Sequence, residues 1–281
     1  MDQEFRIGRR GTDGDFSKAI ELLQSLDGNV DAIGLGGIDI YLYSGTKRYE
    51  IRDGAKLRDA VHKTPVVDGS GLKGTLEKET IKYLVDQAVF DLNGKTALMV
   101  SAVDRFWMAE ALAAAGCNMI FGDLIFALGI PRPVRSFAQL SKLADELLPK
   151  ICKTPFHIFY PTGAEQDKEP DPRYTKVYDE ADIIAGDFHY IRKYMPPDLK
   201  GKDIITNTVT AADVKALAER GVRFLVTTTP ELEGRSFGTN VLEAALITLL
   251  DKPADQVVPE DYLELLKKLD LKPRIERLNC A

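Results

Sequence analysis

The sequence predicts an α/β protein of two lobes, in which a doubly wound parallel sheet follows a smaller α/β lobe and a C-terminal helix returns to that first lobe. Three observations predict this class. The 281 residues suit about two domains. A short apolar run at 96–100, an alanine-rich helical stretch and a second apolar run at 118–121 form a strand–helix–strand unit. Later apolar runs are short and continuous, which is typical of parallel strands covered on both faces.

The chain divides at the turn around 92–95 and again before its last helices. Residues 1–92 are predicted to form an N-terminal α/β substrate lobe, 93–235 a nucleotide-binding lobe, and 236–281 C-terminal helices that pack back on the first lobe. The first lobe is predicted to hold, in chain order, a helix (17–26) with Asp15 as its N-cap, two strands joined by a glycine turn (31–43), a hairpin partner (48–52), a short helix (56–62), a strand (64–67) and a helix (72–84).

The second lobe is predicted from alternating apolar runs and helical patterns. A long excursion at 131–175 carries several prolines, and loops of that length are functional or mobile in compact domains. The remaining predicted elements are strands at 96–100, 118–121, 181–185, 203–206 and 223–226, and helices at 104–115, 136–148, 211–220, 240–250 and 259–269.

Composition and charge exclude several classes of protein. The net charge is −6, from 37 basic and 43 acidic side chains, and no basic face offsets it, so nucleic acid is not an expected partner. No uncharged apolar run approaches 18 residues, so we expect no membrane partner. Three scattered cysteines predict a reducing, cytoplasmic location, and three histidines argue against a His-rich metal site. A small-molecule substrate is therefore the expected partner, and assembly into a homo-oligomer is left open.

Short polar residues follow almost every predicted strand. Ligands collect at the carboxyl ends of parallel strands, where helix N-termini direct backbone N–H groups into the crevice. Each polar end taken alone is also explained as a helix cap or a turn, but together they predict a small-molecule crevice. The residues predicted to bind a cofactor there are Ser101, Asp104, Arg105, Asp123, Thr206, Asn207 and Thr228.

Asp123 lies 22 residues after Ser101, close to the spacing at which a Rossmann-like fold places the acidic residue that binds a nucleotide ribose. The glycine turn of that fold is replaced by residues 101–104. Asp104 would cap the following helix and repel a phosphate, and Arg105 would offset its charge. A dinucleotide would therefore bind in an unusual pose or not at all.

Residues 65–73 combine an apolar strand with Asp68, a glycine-bearing turn and Lys73. Asp68 is either a cap of the turn or a general acid or base, with Lys73 as its partner. His189 follows another strand end, and is either a surface histidine or an acid–base residue that contacts substrate. Asp68, Lys73 and His189 are the predicted catalytic residues.

The stretch from Asp68 to Gly116 resembles the junction between the two domains of the shikimate/quinate dehydrogenase family. The resemblance lies in Asp68-Gly69-Ser70-Gly71, in Asn93-Gly94-Lys95 and in the strand and helix that follow. Segments 100–106, 184–189 and 227–240 are similar to bacterial quinate 5-dehydrogenases, which begin with an additional strand ahead of Phe5, so we expect this chain to start late.

The resemblance implies a Rossmann-like nucleotide lobe, NAD or NADP as cofactor, and Asp68 as the catalytic aspartate. The family's catalytic lysine turn has no counterpart at 31–40, and Val66-Val67 stand where the family has Asn-Thr. The segment 233–240 occupies the position of the family's returning helix. In it we predict Arg235, Ser236 and Asn240 as substrate-binding residues, with Arg235 holding a carboxylate.

The sequence thus favours an NAD(P)-dependent oxidoreductase that acts on a hydroxylated carboxylic acid, similar to quinate or shikimate, in the cleft between the lobes. Two alternatives stay open. One is an enzyme without a dinucleotide, using an acidic cleft that suits Mg²⁺, because the predicted strand ends carry Asp68, Asp104, Asp123 and Asp187. The other is a small-molecule-binding module without catalytic activity.

Overall fold

A computed structural model describes residues 4–45, 47–155, 175–232, 235–250 and 252–280. The central part of the predicted excursion, 156–174, lies outside this description. The strands are β1 (Ile33–Gly34), β2 (Tyr41–Ser44), β3 (Lys47–Glu50), β4 (Val66–Val67), β5 (Thr96–Met99), β6 (Asn118–Phe121), β7 (Ile183–Gly186), β8 (Asp203–Thr206), β9 (Phe224–Thr227), β10 (Glu231–Leu232), β11 (Arg235–Ser236) and β12 (Arg274–Arg277). The α-helices are α1 (Phe16–Leu26), α2 (Arg52–Arg58), α3 (Ser70–Asp86), α4 (Phe106–Ala114), α5 (Asp123–Leu128), α6 (Phe137–Ile151), α7 (Thr175–Asp179), α8 (Phe188–Tyr194), α9 (Ala211–Glu219), α10 (Thr239–Ile247) and α11 (Pro259–Lys268).

The second lobe is built on a six-stranded sheet in the order β6-β5-β7-β8-β9-β12. Its first five strands are parallel, and β12 runs antiparallel to β9. Strands β7 and β8 are buried along their whole length, as expected for strands covered by helices on both faces. Numbered by their order along the chain, the five parallel strands have the doubly wound order 2-1-3-4-5. The strand order changes direction between β5 and β7, and sheets of this kind bind their ligands in the crevice at that point. The predicted Rossmann-like α/β class is confirmed.

The first lobe is smaller and holds two two-stranded sheets. Strand β1 pairs in parallel with β4, and β2 forms an antiparallel hairpin with β3. Leu42 and Ile51 of the hairpin region pack against Ala144 and Leu148 of α6, so the lobes share a hydrophobic cluster.

Helix α10 returns to the first lobe, as the sequence predicts. The backbone of Gly34 in β1 lies so close to it that a Cβ atom there would stand 2.6 Å from the carbonyl oxygen of Asn240. Asn240 also donates a hydrogen bond from its side-chain amide to the carbonyl of Gly34 (3.3 Å). The boundaries of the three predicted domains stay a prediction.

Three predicted elements are present with different bounds. The helix predicted at 56–62 lies at Arg52–Arg58, because the Asp27 carboxylate accepts the backbone N–H groups of residues 62–64 and holds them in a turn. Only two residues, Ile33–Gly34, form a strand in the first part of 31–43. Helix α4 starts at Phe106 instead of Asp104, because the preceding residues form turns.

Among the residues that the structure describes, no helix is long and apolar enough to cross a membrane.

Candidate functional site in the crevice between the lobes

The predicted crevice is filled by a network of ion pairs that joins the two lobes. Lys73 extends from the first turns of α3 and is buried. Its Nζ lies 3.2 Å from Asp39 Oδ1 in the first lobe and 2.8 Å from Asp104 Oδ1 in the loop after β5. The buried Lys73 ammonium therefore forms ion pairs with one carboxyl from each lobe.

The two carboxyls beside Lys73 differ in acidity. Burial, reinforced by the charge of Asp104, raises the pKa of Asp39 to about 6, although Lys73 opposes this shift. Burial also acts on Asp104, but the charges of Lys73 and Arg105 outweigh it and lower the pKa of that carboxyl. Burial disfavours the charged form of Lys73, yet the two carboxyls raise its pKa above the usual value. Lys73 and Asp104 are therefore charged at neutral pH, while Asp39 gains and loses its proton near pH 6.

Arg105 forms the second half of the network. It is almost fully buried, and its guanidinium lies 3.1 Å from Glu77 Oε1, 3.3 Å from Asp187 Oδ2 and 3.3 Å from Asp104 Oδ2. Asn207 donates its amide to the Asp187 carboxylate (2.8 Å). Arg105 thus joins the ends of β5 and β7 to the buried side of α3, and Asn207 connects the end of β8 to the same carboxylate of Asp187.

The backbone groups that would receive a pyrophosphate are bonded to carboxyls of the chain itself. The N–H of Met108, in the first turn of α4, donates to Glu77 Oε2 (2.9 Å). In the preceding loop, the N–H groups of Ala102 and Val103 donate to the two oxygens of Asp123 (3.2 and 2.9 Å). A helix N-terminus binds phosphate through backbone N–H groups that have no other acceptor, and a nearby carboxylate would repel the phosphate. The residues around this helix N-terminus therefore do not fit a dinucleotide in the usual Rossmann pose.

Asp68 has different partners from those the sequence predicts. Its Oδ2 accepts the N–H groups of Ile40 (2.5 Å) and Tyr41 (3.1 Å), and its Oδ1 accepts that of Ser70 (2.9 Å). Asp68 therefore ties the hairpin to the start of α3. The carboxyls bonded to Lys73 are Asp39 and Asp104.

The other predicted site residues lie in several places. Asn207 joins the network. The side chain of His189 is exposed, and the backbone N–H of His189 donates to Asp187 (2.9 Å). Thr206 is fully buried and donates its hydroxyl to the carbonyl of Gly186 (2.8 Å). Thr228 is buried and lines a groove beside α3 together with Glu79, Thr80 and Tyr83.

Two of the predicted substrate-binding residues form side-chain hydrogen bonds within the described structure. The Ser236 hydroxyl accepts the N–H of Val209 (3.2 Å), and Asn240 contacts Gly34. The side chain of Arg235 lies outside the described residues. Whether any of the predicted residues binds a ligand stays a prediction.

A cavity of about 90 Å³ lies beside the ion-pair network, between the hairpin, α6 and the carboxyl ends of β5 and β6. Most of its wall is apolar, and its polar groups come from Ser101, Asp104, Asp123 and Tyr190. The Ser101 Oγ is buried and has no hydrogen-bond partner among the described residues. Burial raises the pKa of Asp123 to about 6, against the effect of the backbone N–H groups that it accepts.

Three carboxyls of this region were missed by sequence reasoning: the buried Glu77 and Glu243, and Asp39, whose side chain is 16% exposed. Glu243 extends from α10 and accepts the hydroxyl of Tyr262 (2.8 Å), and burial raises its pKa to about 7. The one available signal is the spacing of Lys73, Glu77 and Thr80 along α3, which places them on one helix face. On sequence alone, that pattern reads as a solvated surface.

No group of three or more His, Cys, Asp and Glu side chains among the described residues has the geometry of a metal site. The strand-end aspartates are instead bonded to Lys73, to Arg105 or to backbone N–H groups. The described structure thus gives no support to the Mg²⁺ cleft considered above.

Comparisons with known proteins found two family models that match the chain. The model described as Domain of unknown function (DUF8754) matches residues 71–278, and the model described as Domain of unknown function (DUF8753) matches residues 1–68. No curated protein matches.

Solved structures similar to this chain include dipicolinate synthase, A chain, from Bacillus subtilis (13% identity, TM-score 0.33, covering 76% of this chain and 60% of that chain). Another is a sugar ABC transport system substrate-binding protein from Bordetella parapertussis 12822 (14% identity, TM-score 0.38, covering 89% and 73%). The chain thus spans 60% of the length of the dipicolinate synthase chain.

Proposed function

The chain belongs to the family described as Domain of unknown function (DUF8754), and we propose that it is a small-molecule enzyme that transfers protons in the crevice between the two lobes. The observation that carries this proposal is the buried Lys73 ammonium between Asp39 and Asp104. Strongly perturbed ionisable groups that converge in a crevice are typical of active sites.

The charges of the network favour acid–base chemistry. The two cations Lys73 and Arg105 are bonded to four carboxyls, those of Asp39, Glu77, Asp104 and Asp187. Glu77 is buried, and the side chains of Asp39, Asp104 and Asp187 are only 16%, 12% and 15% exposed. Holding four carboxylates beside two cations away from water is costly, and a carboxyl that retains its proton reduces that cost. Asp39, with its pKa near 6, is the group that can give and take a proton at physiological pH.

The relative exposure of the three side chains suggests how they would act on a ligand. The Asp39 side chain is 16% exposed and that of Asp104 12%, whereas that of Lys73 is 6% exposed. A ligand entering the crevice would meet the carboxyls first, with the ammonium beneath them. We assign proton transfer to Asp39, and stabilisation of developing negative charge to Lys73.

The second candidate is the NAD(P)-dependent oxidoreductase of a hydroxylated carboxylic acid that the sequence predicts. The observation in its favour is the position of the network at the β5–β7 switch point, where doubly wound sheets bind nucleotides. This candidate requires the dinucleotide to bind away from the N-terminus of α4, where the backbone N–H of Met108 is bonded to Glu77. Titration with NADH and NADPH, read by nicotinamide fluorescence with and without quinate or shikimate, tests this candidate.

The proposed function is tested by turnover of a small-molecule extract. Protein is incubated with the low-molecular-weight fraction of a bacterial lysate, with and without added NAD⁺ and NADP⁺, and the mixture is compared by mass spectrometry before and after. We expect compounds that are consumed by the wild type without added dinucleotide, and that persist with Lys73→Met or Asp39→Asn.

Lys78→Met is the matched control, because Lys78 lies on the same helix with its side chain 54% exposed. It should consume the same compounds as the wild type. Consumption that survives Lys73→Met contradicts the proposed site. Turnover only with NAD⁺ or NADP⁺ favours the oxidoreductase, and the absence of any turnover favours a binding module.

A further inference from the structure

The cavity beside the network has no role in the chemistry assigned above. Its apolar wall comes from the hairpin, from α6, from the end of α5 and from the loop after β5. Its polar end is formed by Ser101, Asp104, Asp123 and Tyr190. Asp104 is also the ion-pair partner of Lys73, so this one carboxyl belongs both to the cavity wall and to the proposed proton-transfer site.

We propose that this cavity binds a short primary amine, with its ammonium group at Ser101, Asp104 and Asp123 and its hydrocarbon part between α5 and α6. This inference rests on the proposed function in that it places the ligand beside Asp104 and Lys73. It adds the chemical class of the ligand and the residues that select it.

The unpartnered hydroxyl of Ser101 is the first reason to expect a polar ligand group. Ser101 is 8% exposed, its Oγ is buried without a partner among the described residues, and it lines the cavity. Leaving a buried hydroxyl without a hydrogen bond costs free energy, which a ligand that bonds to it would recover.

The sign of the surrounding charge selects an amine. None of the residues that line this cavity is a lysine, arginine or histidine, whereas two are aspartates. The adjoining network already contains four carboxyls for two cations. A ligand cation would reduce this excess of negative charge, while a carboxylate or phosphate would increase it.

The hydrogen-bonding capacity also fits an ammonium group, which has three N–H donors and no acceptor. The Ser101 hydroxyl and the carboxylates of Asp104 and Asp123 provide three acceptors. Each carboxylate oxygen has two lone pairs, so Asp104 and Asp123 can accept a ligand in addition to their protein donors.

The size of the cavity limits the ligand. A cavity of about 150 Å³ accommodates the six carbon atoms of benzene, so the 90 Å³ here suits roughly four non-hydrogen atoms. Ala127 and Leu128 line the cavity and are exposed, which places its mouth at the end of α5. A longer hydrocarbon chain would extend past them to solvent.

The experiment compares n-propylamine, n-propanol and propionate, three probes of similar length and different charge. Each is titrated into ¹⁵N-labelled protein, and backbone amide shifts of residues 100–104 and 123–128 are followed by NMR. We expect saturable shifts with propylamine, at least tenfold weaker binding of propanol, and no saturation with propionate. Ser101→Ala should weaken propylamine binding about tenfold, through loss of a hydrogen bond to a charged group.

Ala127→Trp should close the mouth of the cavity and abolish binding. Ala114→Trp is its control, since Ala114 is an exposed alanine at the end of α4 that does not line the cavity. No saturation with propylamine, equal binding of propanol or propionate, or binding that survives Ala127→Trp would each overturn the inference. Any of these results leaves the Lys73-dependent turnover test unaffected, and loss of that turnover leaves the binding result unaffected.

Discussion

Replacing Arg105 with methionine tests whether the network holds the lobes together. Methionine keeps most of the hydrophobic stem but removes the charge that Glu77, Asp104 and Asp187 share. Arg105 is 3% exposed and Glu77 1%, so solvent cannot replace the lost partner. Removing one partner of a buried ion pair costs about 3–5 kcal/mol, because the other charge stays buried and unpaired. We expect a loss of that size in the free energy of unfolding at pH 7.

The pH dependence of this loss follows from the remaining carboxyls. Burial already raises the pKa of Glu77 above its usual value, and loss of Arg105 raises it further. A carboxyl whose pKa is raised by folding destabilises the protein as pH rises from its unfolded pKa through its folded pKa. The deficit of Arg105→Met should therefore be largest at neutral pH and shrink towards pH 4.5.

Guanidinium chloride unfolding at pH 5 and pH 7 measures both quantities. Arg135→Met is the matched control, because Arg135 pairs with Glu180 on the surface, where both side chains are about half exposed. Exposed pairs contribute less than about 1 kcal/mol. A loss for Arg105→Met as small as that of the control, or equal losses at both pH values, would refute the account of the network.

Three further predictions concern the fold and its buried groups. Gly34→Ala should destabilise the protein by about 1–3 kcal/mol in urea unfolding, because its Cβ would stand 2.6 Å from the Asn240 carbonyl, while Gly8→Ala, with open space around it, should have little effect. Glu243 alone should lower the free energy of unfolding by up to about 1.4 kcal/mol per pH unit as the pH rises from 4.5 to 7, because folding raises its pKa to about 7. Glu243→Gln should remove this slope, and an unchanged slope would contradict the assignment. Lys73→Met should raise the titration midpoint of Asp39 above that of the wild type, because the attraction that opposes burial is lost, and carbon-13 NMR of labelled aspartate measures that midpoint.

The parallel sheet was predictable because its strands are short apolar runs separated by helical patterns with clear ends. The antiparallel strand Arg274–Arg277 was not, since three of its four residues are charged and its pairing with Phe224–Thr227 depends on contacts distant in sequence. Helix α8 was missed because it is only seven residues long and starts at the Asp187 cap. Local patterns therefore predicted the elements with strong periodicity, and tertiary contacts determined the others.

The sequence predicted a crevice at the carboxyl ends of the strands but not the connections inside it. It grouped Asp68, Asp104, Asp123 and Asp187, because each follows a predicted strand, and it paired Lys73 with Asp68. In the structure Lys73 is bonded to Asp39 and Asp104 instead. Sequence reasoning could not identify Asp39, which lies in an irregular loop between two short strands. Which donor a carboxylate accepts depends on distances of a few tenths of an ångström, and no spacing in the sequence fixes them.

The central claim is that Asp39 holds an exchangeable proton beside a charged Lys73. Carbon-13 NMR of protein labelled at the aspartate carboxyls tests it directly, with Asp39→Asn and Asp123→Asn used to assign the two aspartates whose pKa burial raises to about 6. We predict a resonance that titrates with a midpoint near pH 6 and disappears in Asp39→Asn. A midpoint for Asp39 at or below the usual aspartate value of about 3.9 would contradict the account.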